Sequence, residues 1–333
     1  MKPVPPRAGL QTRRAKVGNA TLLEAFPDCL YRGPLMRALR FLLLYLAAVF
    51  LGAALLAPWL WKLAHAAAGI APSLEGLARQ PFHRYVNRCL LALALVGLWP
   101  LNKAFGTQDP RDHGWNHPWS WPLAQGTLLG GAALASILLA ALFRDAAAAH
   151  THLALAPVVR RVFSSIATAS IVAAIEEWLF RGIIHGALRR SLSFPATAAV
   201  TSLLYALVHF FDRPPAPTEV NAATGFWTLG EMLHGFLDTH LLVPGLVNLF
   251  IGGWTLALAR ERAGNLAFPI GIHAGWVLLI KSQSAFVTFA PDANTTFWGS
   301  HKIFDGYAAS LALVLQLVVV HRLMRRPSPA AAA

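Results

Sequence analysis

Charge is what this sequence has least of. Of its 333 residues only 13% are Asp, Glu, Lys or Arg and 56% are apolar, against roughly 25% charged in ordinary soluble domains. A chain so poor in charge cannot coat a water-soluble globule of its size. Cysteine is nearly absent: Cys29 and Cys89 stand far apart and in no ligand spacing, which excludes a disulfide framework and a cysteine zinc site. Acidic residues are scarce beside basic ones, 15 against 28, leaving a net charge of +13. An excess of that size suits either nucleic acid or an anionic membrane face. Nucleic-acid binding would need basic residues clustered on a polar, foldable domain, and the long uncharged stretches here exclude it. Two catalytic motifs are also missing. Without Gly-x-Ser-x-Gly there is no support for a serine nucleophile. Without His-Glu-x-x-His there is no pair of imidazoles on one helical face.

What is present is a series of long apolar runs. Phe41–Trp61 carries no charge, and at about 1.5 Å rise per residue it is long enough to cross a hydrocarbon core of roughly 30 Å. Further spans are expected at about 86–101, 123–143, 162–188, 196–211, 241–259, 266–281 and 304–321. The expectation is therefore an all-α, polytopic membrane protein of about eight transmembrane helices. With the N-terminus inside, the inner segments hold about twice as many Lys and Arg as the outer ones, which by the positive-inside bias puts both termini in the cytoplasm. The excess of positive charge then faces anionic inner-leaflet lipid, so membrane lipid is a partner and nucleic acid is not. Residues 1–40 read as a basic, uncleaved cytoplasmic tail, since a cleaved signal has a shorter charged region. Residues 41–150 read as N-terminal membrane helices, 151–285 as a membrane core bearing the chemistry, and 286–333 as a last span and tail. Trp59, Trp61, Trp99, Trp115, Trp119 and Trp121 fall near expected span ends, where tryptophan anchors at the interface.

Ionisable groups inside the spans are the informative exceptions, because each costs roughly 2.5 to 3.5 kcal/mol on insertion scales unless it is paired or functional. The fourth span carries Glu176-Glu177-Trp178-Leu179-Phe180-Arg181, the fifth His209 and the seventh His273. Adjacent residues on a helix diverge by about 100°. Glu177 can therefore pair with Arg181 one turn on, while Glu176 is left available. Glu176 lies roughly 20 Å in from Arg189, His209 about 20 Å from Ala196 and His273 about 11 Å from Leu266, so the third is expected to be shallower. A carboxylate and two imidazoles in a low-dielectric bundle suit activation of a water molecule. His185 is expected at the cytoplasmic edge, solvated or facing lipid. Glu231, His234, Asp238 and His240 form a second polar cluster, read as an outer loop or interfacial helix in preference to a metal site.

The ordered trio resembles a known family. Glu-Glu-x-x-x-Arg at 176–181, aromatic-x-x-x-His at 205–209 and the apolar helix holding His273 are similar to the three motifs of the CAAX-processing and bacteriocin-processing (CPBP, or Abi) intramembrane proteases, which include the Ras-converting enzyme. The resemblance covers about residues 160–285. It implies an all-helical fold of typically eight spans and an intramembrane endopeptidase acting on a membrane-associated protein or peptide. Glu176 would be the general base and His209 would help to hold the water. Glu177 with Arg181 would orient the site, and His273 would help to bind the oxyanion or a metal. Metal dependence is open in the family. A divalent ion such as zinc would have to be assembled from Glu176, His209 and His273 on separate helices, leaving a fourth position for water.

Two positions depart from the family pattern. Tyr205 stands where Phe is usual, and Val277 stands where the third motif usually has Asn or Asp. Asn248, on the sixth span, is the nearest polar candidate to supply the missing group. Two other functions stay open: a catalytically silent family member serving as a membrane immunity or scaffold protein, and a proton-coupled transporter. The alanine- and arginine-rich composition suits a bacterial inner membrane, where peptide or bacteriocin processing is expected before prenyl-protein processing.

Overall fold

The computed structural model describes residues 34–324, apart from 108, 110, 117, 153, 212, 238 and 301; of 34, 35 and 239–241 only the backbone is described. Most of the expected basic tail, and the alanine-rich end, lie outside these residues. Among the described residues helices lie at all eight expected spans. They are α1 (Pro34–Ile70), α2 (Phe82–Phe105), α3 (Ser120–Phe143), α4 (Leu155–Arg189), α5 (Phe194–Val208), α6 (Thr239–Ala263), α7 (Ala267–Ser282) and α8 (Tyr307–Leu323). Among the described residues five helices, α1 to α4 and the Leu242–Ala263 part of α6, are long and apolar enough to cross a membrane. The others are shorter, at 15, 16 and 17 residues for α5, α7 and α8. A short antiparallel ladder, Ala147–Ala149 with Val287–Phe289, ties the α3–α4 connection to the chain after α7. The protein is an all-helical polytopic membrane protein, with that ladder as the one small exception among the described residues.

Helices in lipid gain little from burying apolar side chains against each other, so close packing relies on small residues that let backbones approach. The contact between α3 and α7 shows this directly. Gly126 and Gly130 of α3 face Gly271 and Gly275 of α7, two Gly-x-x-x-Gly pairs back to back. A Cβ on Gly126 would overlap the Phe268 carbonyl, one on Gly130 the Ile272 carbonyl, and one on Gly275 the Thr127 carbonyl. Their midpoint on α7 is His273, so this zipper fixes the height of that imidazole. On the other side of the bundle Gly253 of α6 lies against Ser202 of α5, bringing α5 and α6 together beside α4.

Buried polar pairs complete the frame. Trp276 Nε1 donates to Gln316 Oε1 of α8 at 3.0 Å, and Gln316 Nε2 donates to the Leu129 carbonyl of α3 at 3.3 Å. Asn248 is fully buried, donates to the carbonyls of Phe304 and Gly306 and accepts from Ser310 Oγ at 2.6 Å. Its amide is thus committed to anchoring the start of α8, which overturns its assignment as a substitute for the missing Asn or Asp.

The turn between α6 and α7 does not reach the edge of the bundle. Leu266 and Ala267 are fully buried, and Leu266 N–H donates to the carbonyl of Gly114 in the α2–α3 connection, which folds over the turn. Gly264, at φ +69, makes the reversal. The α7 helix therefore starts inside the protein, and His273 is deeper than seven residues of helix alone would place it.

Candidate active site

The α4 helix changes character where its acidic pair ends. Leu155–Glu177 is α-helical, Trp178–Ile184 winds as a π-helix, and His185–Arg189 is α-helical again. Such wide turns inside α-helices are frequent at functional sites. The π segment carries Arg181, which is fully buried together with Glu177. Arg181 donates to Glu177 Oε1 at 2.9 Å and to the Gly253 carbonyl at 3.1 Å. The expected pairing of Glu177 with Arg181 is the one found.

The same Oε1 of Glu177 lies 3.0 Å from His273 Nδ1. Since a carboxylate only accepts, this Nδ1 is the protonated one, and in the neutral ring Nε2 carries the lone pair. His209 repeats the pattern: its Nδ1 lies 2.7 Å from the carbonyl of Tyr205, so its Nε2 is likewise the free nitrogen. Both Nε2 atoms face Glu176 Oε2, at 3.7 Å for His209 and 3.9 Å for His273. That oxygen is buried and has no hydrogen-bond partner. The structure thus gathers Glu176, Glu177, Arg181, His209 and His273 at one place, where the sequence scattered them over three helices and expected His273 at a different depth.

Exposure divides the group in two. Glu177 and Arg181 are sealed, and His273 is buried, with 4% of its side chain exposed. Glu176 and His209 keep 28% and 31%. The sealed trio can orient, and the accessible pair can meet a substrate. Tyr205 joins them: its buried ring lies 4.5 Å under the Arg181 guanidinium, and its hydroxyl is 3.5 Å from His273 Nε2. Sequence reading registered Tyr205 as a motif aromatic and passed over its oxygen.

For a metal, the donor chemistry of two imidazole lone pairs and a carboxylate is suitable, but the spacing is not that of a ligand set. Among the described residues no group of three or more His, Cys, Asp or Glu side chains is arranged to hold an ion.

His185 is corrected by the structure. It is not solvated or lipid-facing but 3% exposed, with Nε2 3.6 Å from Glu261 Oε2. Glu231, half-buried, pairs with the exposed His234 at 3.2 Å; Asp238 and the side chain of His240 fall outside the described residues. Trp59, Trp99 and Trp121 are exposed as anchors should be. Trp115 and Trp119 instead stack on each other at 4.8 Å and help to line an apolar cavity of ≈ 300 Å³ between α3, α4 and α7. Its lining reaches Ala174 and Ala274, but it includes none of the five site residues.

Paired glutamates, an arginine and two histidines thus meet inside a helical membrane bundle. Residues 156–279 match the family model described as type II CAAX prenyl endopeptidase Rce1-like. The matched segment contains all five site residues and, at the level of the family, supports an integral membrane protein with an endopeptidase-like domain. No curated protein and no solved structure matches the chain.

Proposed function

We propose that the protein is an intramembrane endopeptidase that hydrolyses a peptide bond of a membrane-associated substrate with water activated by Glu176. The observation that carries this reading is the unpartnered Oε2 of Glu176 facing two imidazole nitrogens at 3.7 and 3.9 Å. These gaps are too long for direct hydrogen bonds and suit a water that donates one hydrogen to Glu176 and the other to His209 Nε2. Glu176 takes one proton from that water, and His209 Nε2 accepts the other hydrogen as a hydrogen bond and so aims the oxygen. The oxygen adds to the scissile carbonyl carbon, whose π pair moves onto its own oxygen. When the tetrahedral adduct collapses, the C–N bond breaks, and the proton held on Glu176 goes to the departing amine.

Glu177 and Arg181 do not touch the water in this scheme. They form a neutral, desolvated pair whose shared Oε1 fixes the tautomer and tilt of His273. The positive-inside bias supports both termini in the cytoplasm, and the alanine- and arginine-rich composition supports a bacterial inner membrane.

The test is hydrolysis in detergent of a quenched-fluorescent peptide panel, one member farnesylated on the cysteine of a C-terminal C-a-a-X sequence and one an unlipidated apolar peptide. Cleavage of at least one member, abolished by Glu176→Gln in a protein that still elutes as a folded species, is the expected result. Undiminished cleavage by Glu176→Gln, or no cleavage by the unsubstituted protein, overturns the reading.

A further inference from the structure

Hydrolysis builds negative charge on the carbonyl oxygen, and a donor must meet it. The two imidazoles are poorly suited to this. Each has its Nδ1–H committed, His273 to Glu177 and His209 to the Tyr205 carbonyl, so each Nε2 presents a lone pair unless the ring takes up a second proton. The Oε1 of Glu177 that accepts from His273 Nδ1 also accepts from Arg181 at 2.9 Å, which holds the ring in that orientation. The third motif's usual amide is absent, since position 277 is valine. Asn248 is spent on α8.

We infer that the Tyr205 hydroxyl is the oxyanion donor of this enzyme. The inference rests on the hydrolytic reading above. Tyr205 is 2% exposed, its O–H reaches the Nε2 side of His273 at 3.5 Å, and that Nε2 is 3.9 Å from Glu176 Oε2. The hydroxyl thus borders the space where water and carbonyl meet. Before reaction it donates loosely to His273 Nε2, and as charge develops it turns to the oxyanion. No proton is transferred by Tyr205, and the bonds made and broken are those of the hydrolysis alone. The Arg181 guanidinium on the ring face, 4.5 Å from its centroid, draws electron density from the phenol and strengthens the O–H as a donor. On this account the two departures from the family pattern form one exchange, with a hydroxyl gained on α5 where an amide is missing from α7.

The experiment is steady-state hydrolysis of the farnesylated C-a-a-X peptide by the unsubstituted protein, Tyr205→Phe, Val277→Asn and the double variant. Tyr205→Phe keeps the ring and its cation contact. It is expected to lower kcat by roughly 10²- to 10³-fold, as loss of one oxyanion donor does, with KM unchanged. Adding Val277→Asn, one helical turn beyond His273, is expected to restore part of that kcat. Replacing Tyr205 by 3-fluorotyrosine preserves shape and makes the hydroxyl a stronger donor, and kcat is expected to rise at constant KM. An unchanged kcat in Tyr205→Phe, or in the fluorotyrosine protein, overturns the inference. If Glu176→Gln is inactive while Tyr205→Phe is fully active, the donor assignment fails and the hydrolytic reading stands. If Glu176→Gln is fully active, the hydrolytic reading itself fails.

Discussion

The α4 helix holds two clusters built from the same residue types, and they differ in what is left unspent. In the deep cluster Glu177 and Arg181 are fully buried, and Glu176 keeps one oxygen with no partner beside two imidazoles. In the shallow cluster, two turns further on, Arg189 grips Glu261 with Nε on one oxygen at 3.2 Å and a terminal nitrogen on the other at 2.9 Å, both residues about one-third exposed. His185 closes on the same carboxylate at 3.6 Å. Glu, Arg and His therefore make a staple where every carboxylate oxygen is satisfied, and a second cluster where Oε2 of Glu176 and Oε2 of Glu177 are not, of which only that of Glu176 belongs to a side chain that is partly accessible. Composition cannot separate the two, because the distinction lies in which carboxylate oxygens are left without a partner.

Four substitutions would break or sharpen this contrast. The largest effect is expected at His209, whose replacement by alanine should lower peptide hydrolysis by roughly 10²- to 10⁴-fold, the range for loss of a group that handles protons at the reacting atoms. Initial-rate assays on the farnesylated peptide would read it, and activity close to that of the unsubstituted protein would move His209 out of the site. Next comes Arg181→Met. Stranding the buried Glu177 carboxylate should cost about 3–5 kcal/mol of stability, visible as an earlier unfolding midpoint in detergent. Gly275→Leu should then cost about 1–3 kcal/mol by forcing α7 away from α3, and it should reduce activity in proportion to how far His273 moves. The smallest effect belongs to Arg189→Ala, expected to cost about 1 kcal/mol or less because the pair it breaks is accessible to solvent, with hydrolysis unchanged.

Much of this arrangement could be read from the residues before any coordinates. All eight apolar runs became helices, since hydropathy over some twenty residues is a strong signal in a chain with so little charge. The Glu177–Arg181 pair followed from helical spacing, and its survival through a π turn shows that the residues remain neighbours when the helix widens. The depth of His273 was not legible. Counting residues from Leu266 assumes that a helix begins at the membrane edge, and here the α6–α7 turn is buried under the Gly114 carbonyl. His185 was misplaced for a similar reason, since its partner Glu261 comes from another helix, 76 positions away in the chain. The glycine zipper was available as two Gly-x-x-x-Gly patterns, but only the structure shows that they face each other. The Ala147–Ala149 strand carried no signal, because three alanines have no strand preference and are held by their partner strand alone.

The central claim is that chemistry belongs to the deep cluster because Glu176 keeps a free, buried oxygen, and that the shallow carboxylate is structural. The most direct measurement is kcat/KM on the farnesylated peptide for Glu176→Gln and Glu261→Gln side by side, each checked for a monodisperse folded species in detergent. The account predicts that Glu176→Gln abolishes hydrolysis and that Glu261→Gln retains it. Retained activity in Glu176→Gln, or its loss in a folded Glu261→Gln, would contradict it.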